Sequence, residues 1–242
     1  MRIDVLTIFP SMIDCFLQYG IIGRAIKNRS LEIFVHDLRD FTKDKHRQVD
    51  DQPYGGGAGM VMKPEPFFAG VRNIAESLGR DFNRSKRILM TPQGRILNQK
   101  TAKRFAAHDW ILIFCGRYEG VDARVEDELC TDVVSVGDYI LSGGETPAMV
   151  LIETISRLIP GVVGSQESLL DETFENGLLE YPQYTRPEVF ENLTVPGVLL
   201  SGDHKKISDW RRQQSINRTL KRRPDLLSKA DLTDEEIKRL SR

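Results

Sequence analysis

The chain is poor in the residues that staple folds together, with three cysteines and four histidines in 242 residues. Cys15, Cys115 and Cys130 show neither C-x-x-C spacing nor an even count, which argues against a disulfide framework and a zinc site. His36, His46, His108 and His204 have no metal-ligand spacing, and none partners a serine or cysteine locally. No run approaches the roughly 18 apolar residues of a membrane span. The apolar start is broken by Asp4 and has no small-residue cleavage site, so it reads as a first strand and a cytoplasmic location is expected. The glycine cluster at 55–59 leads into no Gly-Lys-Ser/Thr, and no G-x-G-x-x-G turn with an acid about 20 residues on is found, which weakens any oxidoreductase reading.

What is present fits a globular protein of one large and one small domain, with 40% hydrophobic and 29% charged residues. Strand-like runs at 3–9, 31–35, 87–91, 111–115 and 133–136 alternate with helical patterns, giving an α/β class. Two glycine-rich turns follow the last two runs: Cys115-Gly-Arg-Tyr-Glu-Gly-Val-Asp122 and Val136-Gly-Asp-Tyr-Ile-Leu-Ser-Gly-Gly-Glu145. That is where α/β proteins bind ligands, and glycines there let backbone groups approach a flat or charged molecule. An adenosine clamped by main-chain groups between apolar walls such as Ile140 and Leu141 is one candidate, and two plain tight turns are the alternative.

The clearest helix spans 144–159, with Ser142 and Glu145 at capping-box spacing and Pro160-Gly161 as a stop. Arg157 falls in its last turn, where either the helix dipole or a function accounts for a cation. The polar loop at 39–60 is long enough to be functional or mobile. Periodicity fades at 161–176, a linker, and the remainder reads as small helices: one through 208–222, one after Pro224, and one from Thr233 with Glu236 as a capping box. The net charge of -1 hides eight Lys/Arg against one Asp at 204–223. On a helix, Arg211, Arg218 and Arg222 share a face with Lys221 nearby, opposite Ile216 and Leu220, which suits phosphate contact. Trp210 reads either as core or as a base-stacking residue. Glu119, Asp122, Asp138 and the Asp171-Glu172 pair are the acids in unusual places.

Six motifs, Asp50-Asp-Gln-Pro-Tyr-Gly-Gly-Gly-Ala-Gly-Met60, Thr91-Pro-Gln-Gly-Arg95, Cys115-Gly-Arg-Tyr-Glu-Gly120, Gly137-Asp-Tyr-Ile-Leu-Ser-Gly-Gly-Glu145, Ser156-Arg-Leu-Ile-Pro-Gly161 and Tyr184-Thr-Arg-Pro187, occur in one order. Together they resemble the TrmD family of bacterial tRNA (guanine-N(1))-methyltransferases, of the SPOUT class, over nearly the whole chain. The resemblance implies a trefoil-knotted parallel sheet with helices at 1–160, a flexible linker at 161–177 and a small all-helical tRNA-binding domain at 178–242. It implies a homodimer with active sites between subunits. It further implies S-adenosylmethionine bound at Thr91, Pro92, Gly116, Tyr118, Glu119, Gly120, Ser135, Val136, Gly137, Asp138, Tyr139, Ile140, Leu141, Gly143, Gly144 and Pro147. The substrate would be the tRNA guanosine directly 3′ of the anticodon, with Arg157 stabilising charge on O6; Mg²⁺ participation is compatible with the family. Where the family has an aspartate before a Ser-Phe pair as proposed base, this chain has Glu172 before Thr173-Phe174, with Asp171 as the second choice. A non-catalytic RNA-binding protein is the alternative reading.

Overall fold

The run Trp110-Ile-Leu-Ile-Phe-Cys115 is buried at every position, so it needs cover on both faces. In the computed structural model, which describes residues 1–163, 172–174 and 177–240, it is the central strand of a five-stranded parallel sheet. The chain divides into two compact units, Met1–Gly164 and Ser165–Arg242.

In the first unit the strands are β1 (Arg2–Thr7), β2 (Glu32–Asp37), a short antiparallel pair β3 (Asp50–Asp51) and β4 (Val61–Met62), then β5 (Lys86–Ile96), β6 (Trp110–Cys115) and β7 (Asp132–Ser135). The sheet order is β2-β1-β6-β5-β7. The helices are α1 (Pro10–Leu17), α2 (Gly20–Lys27), α3 (Pro64–Leu78), α4 (Gln99–Ala106), α5 (Ala123–Leu129) and α6 (Glu145–Ser156). Alternation along β6 separates two cores. Ile111, Ile113 and Cys115 pack with Ile13, Ile22, Phe105 and Leu151 on one face. Trp110, Leu112 and Phe114 pack with Phe67, Val71, Val125 and Leu129 on the other. The rings of Phe67 and Phe114 meet edge-on at 5.8 Å.

Strand β5 leaves the ladder and returns to it: Met90 and Arg95 both stand opposite Val134, so the residues between them form an excursion from the sheet. Gly94 closes it, because a Cβ there would lie 2.4 Å from the backbone nitrogen of Val134.

The expected capping box at the start of α6 does not form. Gly144 is the N-cap, with no side-chain cap bond, and Glu145 is fully buried in tertiary contacts. Asp4, which breaks the apolar start, is a second buried acid: it accepts from Nε and one terminal nitrogen of Arg2 at 2.7 Å, from the Trp110 indole at 2.8 Å, and contacts His36 Nε2 at 2.8 Å. Burial pushes its pKa up, but these bonds outweigh that and leave it below the ordinary carboxylate value.

The second unit is not purely helical. It contains an antiparallel pair, β8 (Val189–Phe190) and β9 (Leu193–Thr194), ahead of α7 (Gly197–Leu200), α8 (His204–Arg222), a 3-10 turn at Pro224–Lys229 and α9 (Asp234–Leu240). Helix α8 begins earlier than its periodicity suggests because Asp203 caps it, accepting from the Lys206 amide at 3.1 Å. At α9 the capping box is reciprocal, with Thr233 N to Glu236 Oε2 at 2.8 Å and Glu236 N to Thr233 Oγ1 at 3.3 Å.

Candidate active site in the glycine turns

The loops that follow β6 and β7, together with the excursion inside the adjacent strand β5, surround a cavity of about 330 Å³. Every cofactor position expected from the sequence lines it except Asp138, which is exposed on the second turn and outside the lining. The periodicity did not mark Met90, Gln93, Arg117 and Ser142, which also line it.

Arg117 explains why the turns hold their shape. Its Nε donates to the Glu145 carboxylate at 2.8 Å, a terminal nitrogen donates to the Ser142 carbonyl at 3.2 Å, and its guanidinium lies 4.5 Å from the Phe9 ring centre. Glu145 is completed by the Thr7 hydroxyl, which donates to it at 2.6 Å. Backbone contacts join the turns directly: Gly144 N donates to the Gly116 carbonyl at 2.8 Å, and Arg117 and Gly143 form an antiparallel bridge. Gly144 has no room for a side chain, since a Cβ would lie 2.8 Å from the Cys115 Cα. The same packing buries the Cys115 thiol, and burial with the nearby Glu145 pushes its pKa well up, so it is an inert thiol.

The end of the long loop belongs to this region. Glu119 N donates to the Met60 carbonyl at 3.0 Å, Met62 N to the Gly120 carbonyl at 2.9 Å, and Asp122 N to the Met62 carbonyl at 2.9 Å. Tyr118, between them, takes a left-handed backbone with φ 59°, a conformation that concentrates at functional positions. Asp122 is structural: it caps α5 and pairs with Arg124 at 2.7 Å, which holds its pKa low.

The family model for tRNA (Guanine-1)-methyltransferase TrmD matches residues 1–229. This chain belongs to that family. A tRNA (guanine-N(1)-)-methyltransferase from Dehalococcoides mccartyi (strain ATCC BAA-2100 / JCM 16839 / KCTC 5957 / BAV1) is 50% identical over 98% of this chain and 95% of its own length. Similar proteins of the same name from Dictyoglomus turgidum and Thermotoga petrophila are 48% and 51% identical, over 99% and 97% of this chain and 95% and 93% of their own lengths.

Arg157 and Glu172, the first-choice residues for chemistry, lie in different compact units. Half-buried Arg157 is the C-cap of α6 in the first. Glu172, in the second, lines a smaller cavity of about 260 Å³ with His204, Arg211 and Arg212. Asp171 lies outside the described residues, as does most of the expected linker.

Apart from Lys205, the basic residues of α8 and its C-cap Arg223 separate into two groups. Lys206 pairs with Asp203 at 3.0 Å, Arg212 with Glu236 at 2.9 Å and Arg223 with Asp225 at 2.7 Å. Arg211, Arg218, Lys221 and Arg222 have no carboxylate partner among the described residues. The packing face is centred on Ser215, Ile216 and Thr219, which corrects the expectation for Leu220: it is 46% exposed, one residue and so about 100° beyond Thr219. Among the described residues no group of three or more His, Cys, Asp or Glu could hold a metal ion, and no helix is long and apolar enough to cross a membrane.

Proposed function

We propose that this TrmD-family chain transfers a methyl group from S-adenosylmethionine to N(1) of the tRNA guanosine immediately 3′ of the anticodon. The observation that carries the proposal is the convergence of three glycine-bearing loops on one cavity, in a chain half identical to named tRNA (guanine-N(1)-)-methyltransferases. The residues present fit the cofactor. Bare backbone at Gly116, Gly143 and Gly144 can approach an adenosyl group closely, and Val136, Ile140, Leu141 and Pro147 give it apolar walls. When bound, S-adenosylmethionine supplies an electrophilic methyl group.

Guanine N(1) carries a proton and is a poor nucleophile, so a carboxylate must take that proton as the methyl group arrives. Glu172 fills this role, with Asp171 as the alternative. Arg157 stabilises the negative charge that grows toward O6. The unpaired cations of α8 hold phosphates and orient the anticodon arm. The reading includes the trefoil-knotted sheet that the family resemblance implies. It also includes a homodimer with active sites between subunits. Tyr118, Tyr139 and Ile140, 52%, 56% and 81% exposed at the cavity, are the surface such a partner would cover. A cytoplasmic location follows from the substrate.

The test is incubation with methyl-labelled S-adenosylmethionine and an unmodified tRNA carrying two guanosines across the 3′ boundary of the anticodon, followed by mapping of the label. Label on N(1) of the second guanosine is expected. Binding of tRNA with no transfer would favour a non-catalytic RNA-binding protein.

A further inference from the structure

The Tyr184-Thr-Arg-Pro187 motif plays no part in the cofactor cavity. It borders a cavity of about 470 Å³ in the second unit, between the segment 181–188, the end of α7 and the first half of α8. Val195, Leu199, Leu200 and Ile207 give it apolar walls, and Tyr181 and Tyr184 supply aromatic ones. That volume lies within the range of about 300–1,000 Å³ typical of small-ligand sites.

The aromatic rings are held in place from behind. Trp210 lies 6.4 Å from the Tyr184 ring at 52°, yet Tyr184 remains 48% exposed. Arg211 reaches over the Tyr181 ring, 4.7 Å from its centre. Neither Arg211 nor Arg186 has a carboxylate partner among the described residues. Thr185 and Glu188 add one hydroxyl and one carboxylate to the lining, groups suited to the polar edge of a ring. Arg211 also belongs to the unpaired cationic face of α8, so the cavity opens beside groups that attract phosphate.

Flat aromatic walls, uncompensated arginines and a few edge-reading polar groups are what unstacked RNA bases use. We propose that this cavity receives a single unstacked base of the anticodon loop, stacked against Tyr184 and next to the Arg211 guanidinium. It would be a second base site, separate from the one where the methylated guanine reacts. The proposal rests on tRNA being the substrate, and a chain that does not bind tRNA at all would end both readings.

The experiment measures tRNA binding by the full chain with Tyr184→Ala and Tyr184→Phe, alongside S-adenosylhomocysteine binding. For Tyr184→Ala, Kd for tRNA should rise about ten-fold, within what alanine substitution at a base-stacking aromatic gives. Tyr184→Phe should stay close to wild type, because it keeps the ring. The salt slope and S-adenosylhomocysteine affinity should not move, since neither phosphate nor cofactor contacts are lost. Unchanged tRNA affinity for Tyr184→Ala would overturn the proposal, as would equal losses for both variants. A fall in sedimenting mass for Tyr184→Ala would also overturn it, by making the cavity a contact between copies of the chain. A second measurement uses the wild-type chain: 4-thiouridine at anticodon-loop pyrimidines should crosslink within 181–186, and crosslinks confined elsewhere would refute the site.

Discussion

Gly144 and Glu172 test the site from opposite sides. In Gly144→Ala, the added carbon meets backbone at Cys115 and must push the two glycine turns apart. We expect S-adenosylhomocysteine affinity, measured by calorimetry, to fall by about 5- to 150-fold for a misfit of about 1–3 kcal/mol, with the fold retained. Glu172→Gln keeps size and polarity but cannot take a proton. It should bind cofactor and tRNA normally while kcat for methyl transfer falls by roughly 10²-fold or more; full activity would transfer the role to Asp171. Arg157→Ala should likewise lose about 10²-fold in kcat, the low side of what a single charge stabiliser contributes, and a loss below about ten-fold would end its role. Asp4 carries the pH prediction. Its folded pKa is depressed, so its contribution to stability is present above the unfolded value near 3.8 and is lost as pH falls through the folded value. Urea midpoints should therefore hold near neutrality and drop below about pH 4, and Asp4→Asn should flatten that acid limb.

Helix α8 is the element where charge and packing are easiest to separate. Replacing Arg211, Arg218 and Arg222 together by Gln should weaken tRNA binding and reduce its log–log salt slope by about 2 to 3, since each phosphate contact contributes close to one. An unchanged slope would take that face off the phosphates. The same helix shows what was legible in the sequence. Its cationic side followed from spacing, because angular position depends only on helix geometry. The exposure of Leu220 did not, because which face is buried depends on tertiary partners, such as the Leu179 amide that donates to the Thr219 hydroxyl. The strands were legible because runs such as 111–115 are short, apolar throughout and contain β-branched residues, as a strand covered on both faces requires. The Ser142–Glu145 box looked sound locally and failed because Arg117 and Thr7, distant in sequence, claim Glu145. Gly116, Gly143 and Gly144 were visible as a pattern. The arginine that fixes them was an ordinary residue in a turn until its partners came into view.

For the whole molecule, the decisive prediction is complementation. If each site takes its cavity from one subunit and its carboxylate from the other, a homodimer mixed from Gly144→Ala and Glu172→Gln chains contains one intact site in each mixed pair. Assayed at an S-adenosylmethionine concentration too low to load Gly144→Ala, two weakly active preparations should then recover about a quarter of wild-type activity after subunit exchange, as twofold symmetry requires. No recovery would mean that each chain completes its own site. The excursion in β5 bears on how such sites meet their cofactor. Met90 and Arg95 are fastened to the same residue of β7, so the span between them is a bridge clamped at both ends. Its conformational entropy is lost when the sheet forms, and a ligand arriving later orders nothing there. That wall of the pocket is thus a fixed template whose grip should persist with rising temperature until β5 and β7 separate, and then fail abruptly.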